Sequence, residues 1–177
     1  MQPIETERLL IRNFKQEDWM DLKEYLSESE VVRYSPYTIH TEEMAKKEVL
    51  NRLHNDELLA VVLKENNKVI GELIYENGEF DAKEIGFFFN PKYQGKGYAR
   101  EASSTIMNLA FNEWGIRRIT ARCDAKNIKS KALLERLGMR QEGLLIQHLY
   151  FKHDDLGNPI WADTCLYGIL KSEWVNS

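Results

Sequence analysis

Apolar residues along this chain follow two different periods, and the period indicates the element. Stretches in which apolar residues dominate or alternate with polar ones predict strands, and recurrence every three or four residues predicts helices. Strands are therefore expected at residues 8–13, 58–65, 68–75, 79–89, 116–124, 142–152 and 160–171. Helices are expected at residues 16–28, 42–54, 97–114 and 128–137. The order β-α-α-β-β-β-α-β-α-β-β predicts an α/β fold, in which a mixed, seven-stranded sheet carries helices on both faces.

Short polar and glycine-containing segments separate these elements. Asn77-Gly78 lies between two strand segments, and Asn-Gly is a strong hairpin signal. Gly115 and Gly138 follow the last two helical segments, where a glycine commonly ends a helix. Residues 154–159 are rich in Asp, Gly, Asn and Pro, and they predict the turn of a final hairpin.

The size and composition are those of a globular protein. A chain of 177 residues is expected to form a single domain over residues 1–177. No apolar run approaches the ~20 residues that span a bilayer, and the N-terminus lacks the features of a secretory signal. Cys123 and Cys165 form neither a metal-binding spacing nor a disulfide framework. We therefore expect a cytoplasmic protein with reduced thiols, no metal site and no membrane association.

The charge is unevenly distributed. A net charge of −4 argues against general binding to nucleic acid. Residues 92–140 nevertheless carry 11 Lys and Arg against 4 Asp and Glu. Lys92, Lys96 and Arg100 belong to this segment, and we interpret them as attracting an anionic ligand. Other cations of the segment, such as Arg117, are equally compatible with a solvated surface.

One stretch of this basic segment predicts an anion-binding site. The apolar run at residues 85–89 reads as a buried strand that Pro91 ends, and Gly95 and Gly97 then precede a helical pattern. The first N–H groups of a helix lack internal partners and carry partial positive charge. Glycines let a phosphate approach the backbone closely, although an ordinary helix-entry turn has the same composition.

Two common phosphate-binding motifs do not fit this stretch. A P-loop requires Gly-Lys followed by Ser or Thr, which is absent. A dinucleotide-binding fingerprint requires Gly or Ala three residues after Gly97, where Arg100 stands. A nucleotide-binding oxidoreductase is therefore a weak alternative.

Gln94-x-x-Gly97-x-Ala99 resembles the coenzyme A pyrophosphate loop of the GNAT superfamily of N-acetyltransferases. The longer stretch 85–101 is similar to the branch of Rim-type ribosomal-protein N-terminal acetyltransferases, and so are residues 5–12 and 127–143. The resemblance implies a mostly antiparallel sheet in which two strands splay apart beside the loop. It also implies transfer of an acetyl group from acetyl-CoA to a primary amine.

The resemblance further implies which residues bind acetyl-CoA. The loop backbone would hold the pyrophosphate, the strand before it would bond the pantetheine arm and the thioester oxygen, and an asparagine before the next helix would bond the arm as well. An asparagine at that place is also a common helix cap. The implied cofactor-binding residues are Phe87, Phe88, Phe89, Gln94, Gly95, Lys96, Gly97, Tyr98, Ala99, Arg100, Asn127 and Ser130.

Two catalytic positions of the family depart from its pattern here. Many GNAT enzymes place a proton-donating tyrosine seven residues after the asparagine, where this chain has Leu134. Ser130 is the substitute implied by Rim-type relatives, although a serine in a first helical turn also bonds backbone. Those relatives place a glutamate nineteen residues after the serine, where this chain has Leu149. Glu84 and His148 are the remaining candidates for the general base.

The acceptor amine is expected to contact the segment between the first two helices. Arg33, Tyr34 and Tyr37 lie there and either line a pocket or seal the core. Deprotonating a lysine-like amine at pH 7 costs about 4–5 kcal/mol, against about 1 kcal/mol for an α-amine. The absence of an evident tuned base therefore favours a protein N-terminus or a weakly basic small-molecule amine. A non-catalytic acyl-CoA-binding module is the alternative that Leu134 and Leu149 keep open.

Overall fold

One mixed sheet of eight strands runs through residues 2–175, the part of the chain that this computed structural model describes. The strands are β1 (Ile4–Glu5), β2 (Leu9–Asn13), β3 (Leu58–Leu63), β4 (Lys68–Asn77), β5 (Lys83–Phe89), β6 (Arg118–Asp124), β7 (Arg140–Leu149) and β8 (Ala162–Leu170). The helices are α1 (Trp19–Leu26), α2 (Ser29–Val32), α3 (Glu42–Leu53), α4 (Tyr98–Asn112) and α5 (Ile128–Arg136). The strand order across the sheet is β1-β2-β3-β4-β5-β6-β8-β7. The predicted fold class is confirmed, but the predicted number of seven strands is wrong.

The additional strand is β1, which pairs antiparallel with β2 through Ile4–Ile11 and Glu5–Leu10. Two residues are too few to show an alternating pattern, so apolar periodicity cannot predict this strand. The first predicted helix also differs, because residues 16–18 form a 3₁₀ turn before α1 begins. The segment expected to be a loop before Tyr37 contains the short helix α2.

The strand predicted to start at residue 79 begins only at Lys83. The N–H of Gly78 donates to the carbonyl of Ala82 at 2.9 Å, and this bond closes a five-residue loop between β4 and β5. Phe80 and Asp81 adopt left-handed φ angles of 52° and 56°, which a strand does not accommodate. The hairpin predicted by Asn77-Gly78 is present, with a longer turn than this dipeptide usually makes.

β5 and β6 are the parallel neighbours of this sheet, and their pairing is short. It consists of Lys83–Ile119 and Glu84–Thr120. On its other side β5 pairs with β4 along its whole length, from Lys83 to Phe89. Within the described residues, β5 therefore has one paired edge and one unpaired edge from Ile85 onward. This divergence produces an opening between β5 and β6.

Two apolar layers lie on opposite faces of the sheet. α4 and α5 cover one layer, in which Ile106, Phe111 and Tyr167 are buried. α1 and α3 cover the other layer, in which Leu22 and Val49 are buried. Side chains alternate along a strand. As a result, the first and third of the phenylalanines that end β5 pack in the α4 layer, and the second packs in the α1–α3 layer.

A buried ion pair anchors the α1–α3 layer. The guanidinium of Arg52 donates two hydrogen bonds to Glu72, at 2.9 and 3.1 Å, and both side chains are fully buried. The hydroxyl of Tyr25 donates to the same carboxylate at 3.0 Å, and Arg52 donates to the hydroxyl of Tyr37 at 3.0 Å. Burial raises the pKa of Tyr25 well above its usual value, so this hydroxyl remains a donor. The network joins α1, α3, β4 and the segment that carries Tyr37.

We expect Glu72→Ala to lower the free energy of unfolding by about 3–5 kcal/mol, because it removes the fully buried carboxylate that accepts two hydrogen bonds from Arg52 and leaves the partly exposed Glu48 as the ionic partner of that guanidinium. Urea denaturation at pH 7 measures the change. Lys46→Ala is the matched control, since it breaks a solvent-exposed pair with Glu42 on the same helix as Arg52. The control should keep the wild-type midpoint. A Glu72→Ala protein that unfolds at the wild-type urea concentration would contradict the assigned role.

Candidate functional site

The loop between β5 and α4 has a backbone shape that depends on glycine. Gly95 and Gly97 adopt φ angles of 75° and 85°, in the left-handed region that other residues rarely occupy. Gly97 is the N-cap of α4, so the unpartnered N–H groups of that helix begin here. The side chain of Gln94 donates to the carbonyl of Phe89 at 3.0 Å and fixes the start of the loop. The predicted turn at Gln94 and the predicted helix start are both present.

The loop offers room for an anion at its surface. Gly95, Lys96 and Gly97 are exposed. A Cβ atom at Gly95 would meet nothing within 4 Å, and one at Gly97 would lie 3.3 Å from a guanidinium nitrogen of Arg8. Exposed glycine backbone, a helix N-terminus and nearby cations are the features that bind a phosphate. The residues present therefore fit a diphosphate.

The start of α5 approaches this loop from the other side of the opening. Lys129 donates to the side-chain oxygen of Gln94 at 2.9 Å and forms an ion pair with Glu30 of α2. Asn127 caps α5, because its side-chain oxygen accepts the N–H of Ser130 at 3.1 Å. The amide nitrogen of Asn127 has two further donors that this cap does not use. The predicted cofactor residues of β5, the loop and α5 thus surround one opening.

Tyr37 lies against the strand that borders this opening. Its ring packs edge-on against Phe88, with centroids 5.5 Å apart, and its hydroxyl accepts from Arg52. Burial raises the pKa of Tyr37 above its usual value. Of the other two predicted acceptor residues, Arg33 is exposed and Tyr34 is half-buried. Tyr37 therefore forms part of the α1–α3 layer and contacts β5 at the same time.

The two candidate bases lie on the same face of the sheet and have different partners. Glu84 forms the last parallel pair with β6, and its carboxylate is 3.2 Å from the guanidinium of Arg122. Burial raises the pKa of the Glu84 carboxyl, and Arg122 opposes this effect. His148 is exposed, and its Nδ1 lies 3.1 Å from the hydroxyl of Thr164. The register of β6 with β8 puts Arg122 and Thr164 on one face.

The two leucines at departures from the family pattern do not have equivalent environments. Leu134 is 1% exposed and packs in the α4 layer, so this position belongs to the hydrophobic core. Leu149 ends β7 and is half-buried. Ser130 is half-buried in the first turn of α5, three residues from the cap at Asn127. Asp163 accepts the N–H of Gln147 at 2.7 Å, and this bond links β7 to β8.

Several charged residues at this site received no role from the sequence. Arg8 and Glu101 form an ion pair at 2.6 Å against the glycine loop. Lys129 reaches across the opening, and Arg122 faces Glu84. Arg8 and Glu101 both belong to stretches that carry the family resemblance, and their opposite charges are compatible with an ion pair. The sequence does not show that they are in contact, because they are far apart in the chain.

The two cysteines face each other across β6 and β8. Cys123 and Cys165 are register partners, and both thiols are free. Burial raises the pKa of the Cys123 thiol to about 12, and Cys165 adds to the effect. Within residues 2–175, no group of three or more His, Cys, Asp or Glu is arranged to hold a metal ion. None of the described helices is long and apolar enough to cross a membrane.

Comparison with known proteins identifies the family. The sequence profile of the acetyltransferase (GNAT) domain matches residues 8–140. YnaD, an uncharacterized N-acetyltransferase of Bacillus subtilis (strain 168), is 40% identical over 174 residues, which cover 97% of this chain and 98% of that protein. The crystal structure of a GNAT-family acetyltransferase from Bacillus anthracis is 35% identical, covers 97% of this chain and 100% of its own, and has a TM-score of 0.87. The ribosomal-protein-S5-alanine acetyltransferase of Vibrio fischeri is 26% identical, with a TM-score of 0.76 over 99% of this chain and 100% of its own.

These similarities extend over most of the chain, and the TM-score of 0.87 shows that the fold is shared. The profile includes both the glycine loop and the start of α5. The resemblance inferred from the motifs is therefore confirmed. The chain belongs to the GNAT family of acetyltransferases.

Proposed function

We propose that this protein transfers an acetyl group from acetyl-CoA to a primary amine by direct attack in a ternary complex. The observation that carries the proposal is the glycine loop at the N-terminus of α4, beside a strand whose edge is unpaired. A loop of this shape suits a diphosphate, and the free strand edge suits the amides of a pantetheine arm. The free edge of β5 and the glycine loop that follows it in the chain border the same opening.

The cofactor would be held mainly by backbone groups. The N–H groups of residues 95–99 would bind the diphosphate, since that of Gln94 already donates to the carbonyl of Pro91. Lys96 and Arg100 would supply positive charge. The free edge of β5 at residues 87–89 would bond the pantetheine arm, and the unused amide donors of Asn127 would bond it from the opposite side. Because backbone groups would make these contacts, the large apolar side chains of residues 87–89 are not needed for binding. They pack instead in the two core layers.

Bound acetyl-CoA would supply the thioester whose acetyl group is transferred. An N–H on the free edge of β5 would stabilise negative charge on the carbonyl oxygen, which is often the largest catalytic contribution. Ser130 is our candidate for donating a proton to the departing sulfur. It lies in the first turn of α5, and the buried side chain of Leu134 has no proton to give.

Glu84 is the better supported of the two candidate bases. It stands where β5 and β6 separate, on the face that also carries Phe88 and Tyr37. Burial raises its pKa, which brings a carboxylate closer to the basicity that proton abstraction needs. Arg122 would keep the carboxylate ionised at neutral pH. His148 lies on β7, which pairs with β8. Its side chain is exposed, so it would act in direct contact with solvent.

The acceptor is proposed to be a weakly basic primary amine, such as a protein N-terminus or a small-molecule amine. A carboxylate paired with a guanidinium is a modest base, and deprotonating an α-amine costs about 1 kcal/mol at pH 7. One relative is a ribosomal-protein-S5-alanine acetyltransferase. Tyr37 would contact the acceptor, with Arg33 and Tyr34 of the same segment contributing at the entrance.

Thiol release from acetyl-CoA tests this function. We expect release with a lysine-free peptide that has an unblocked N-terminus, and much less with a blocked peptide that contains lysine. Spermidine and an aminoglycoside complete the panel. Gly97→Glu is the control variant, since a carboxylate at the left-handed glycine would repel the diphosphate and abolish CoA binding in calorimetry. Tight CoA binding without release from any amine would identify a non-catalytic acyl-CoA-binding module.

Ser130→Ala should lower kcat by about 10²-fold, because general acid catalysis typically contributes 10²–10⁴-fold. The KM for acetyl-CoA should change little, since the backbone cap to Asn127 survives the substitution. Ser104→Ala is the matched control, as that hydroxyl donates to its own helix at Glu101. Steady-state kinetics with both variants measure the effect. Wild-type kcat in Ser130→Ala would leave the serine with its structural role alone.

Glu84→Gln should lower kcat/KM by about 10²-fold at pH 7. In the wild type, kcat/KM should fall as pH drops through the raised pKa of Glu84, because the base acts in its deprotonated form. The variant should lose this acidic limb of the pH profile. His148→Asn should retain both the rate and the limb. The opposite result for the two variants would assign the base to His148.

A further inference from the structure

A cluster of hydrogen bonds joins the N-terminal segment to the first turn of α4. The Nε of Arg8 donates to Oε2 of Glu101 at 2.7 Å, and its backbone N–H donates to Oε1 at 3.0 Å. The hydroxyl of Thr6 donates to the same Oε1 at 2.5 Å. Burial raises the pKa of Glu101, but the hydrogen bonds from Thr6 and Arg8 together outweigh it, so the pKa lies below its usual value. Glu101 is therefore ionised at neutral pH and is neutralised by Arg8.

The same guanidinium lies where the glycine loop joins α4 and contacts Lys96 and Tyr98 on either side of Gly97. Its Nη1 donates to the carbonyl of Lys96 at 3.1 Å. Its Nη2 is 3.3 Å from the position that a Cβ of Gly97 would take. Its carbon lies 4.5 Å from the ring centroid of Tyr98, in a cation–π contact. Arg8 thus contacts the loop where glycine leaves the backbone most free to move.

Planarity of the peptide bond gives these contacts a consequence for the ligand. The C=O and N–H of a trans peptide point in opposite directions. Arg8 fixes the carbonyl of Lys96 toward itself, so the N–H of Gly97 must point away from Arg8. That N–H is one of the donors proposed to bind the diphosphate. A glycine loop without such a constraint would lose conformational entropy on each binding event.

The charge of Glu101 supports the same interpretation. A carboxylate in the first turn of α4 competes with a phosphate for the positive end of the helix. The ion pair with Arg8 removes this competition while keeping the carboxylate as an acceptor. We propose that Arg8 and Glu101 are a positioning pair that holds the Gly95–Gly97 loop in its diphosphate-binding conformation. This inference depends on the proposed binding of acetyl-CoA.

Calorimetry with CoA and steady-state kinetics on the full-length protein test the pair. Arg8→Ala should weaken CoA binding about tenfold or more, equivalent to about 1.4 kcal/mol. The KM for acetyl-CoA should rise by the same factor, while kcat at saturation and the KM for the amine change little. Arg8→Lys should recover only part of the affinity, because an ammonium cannot make all of the contacts of a guanidinium at once.

Glu101→Gln separates positioning from direct contact with a phosphate. The variant leaves the charge of Arg8 in place and loosens its orientation, so a positioning role predicts weaker CoA binding. If Arg8 itself contacted a phosphate, the same variant would free its charge and tighten binding, and the proposal would be overturned.

Arg12→Ala is the matched control for general destabilisation. Arg12 lies on β2 close to Arg8 in the chain, and it donates to Asp18 at 2.7 and 2.9 Å in a more buried ion pair. Its loss should lower the midpoint of urea denaturation and leave CoA affinity unchanged. Equal weakening of CoA binding in Arg12→Ala and Arg8→Ala, or wild-type affinity in Arg8→Ala, would overturn the positioning role. A wild-type protein that does not bind CoA would instead overturn the proposed function, and this inference with it.

Discussion

The divergence of β5 and β6 after two parallel pairs is the constraint on which the rest of the site depends. Beyond Glu84, β5 stays paired with β4 on one edge, where alternate residues form the hydrogen bonds, and has no strand on its other edge within the described part of the chain. Backbone donors and acceptors that lack a protein partner require water or a ligand. The sheet therefore creates an extended row of hydrogen-bonding groups, and the glycine loop stands at the end of that row.

The two faces of the sheet hold the two sides of this opening by different means. On the α4 face the important groups are backbone N–H groups and a helix N-terminus, supported by an ion pair at the surface of the loop. On the α1–α3 face a fully buried guanidinium and carboxylate fix a tyrosine against Phe88. Because the two arrangements share no side chain, changes to the segment that carries Tyr37 need not alter the glycine loop.

Sequence patterns predicted the features that are local in the chain. Two glycines before a helical period indicated the loop, and their left-handed φ angles explain why those residues stand there. β1 escaped prediction because two residues show no period, and the start of β5 was misplaced because positive φ angles at Phe80 and Asp81 are not readable from apolar patterning. Contacts between distant segments, such as Arg8 with Glu101, depend on the fold and carry no local signal.

The position of Cys123 has a consequence for the selectivity of the reaction. This residue lies on β6, the strand that borders the opening, and a thiolate there would exchange with a thioester. Burial raises the pKa of this thiol to about 12, so the thiol stays protonated at neutral pH. Burial against Cys165 thus protects the protein from acylating itself. The core can therefore hold two thiols on and beside the strand that borders the opening without presenting a reactive nucleophile there.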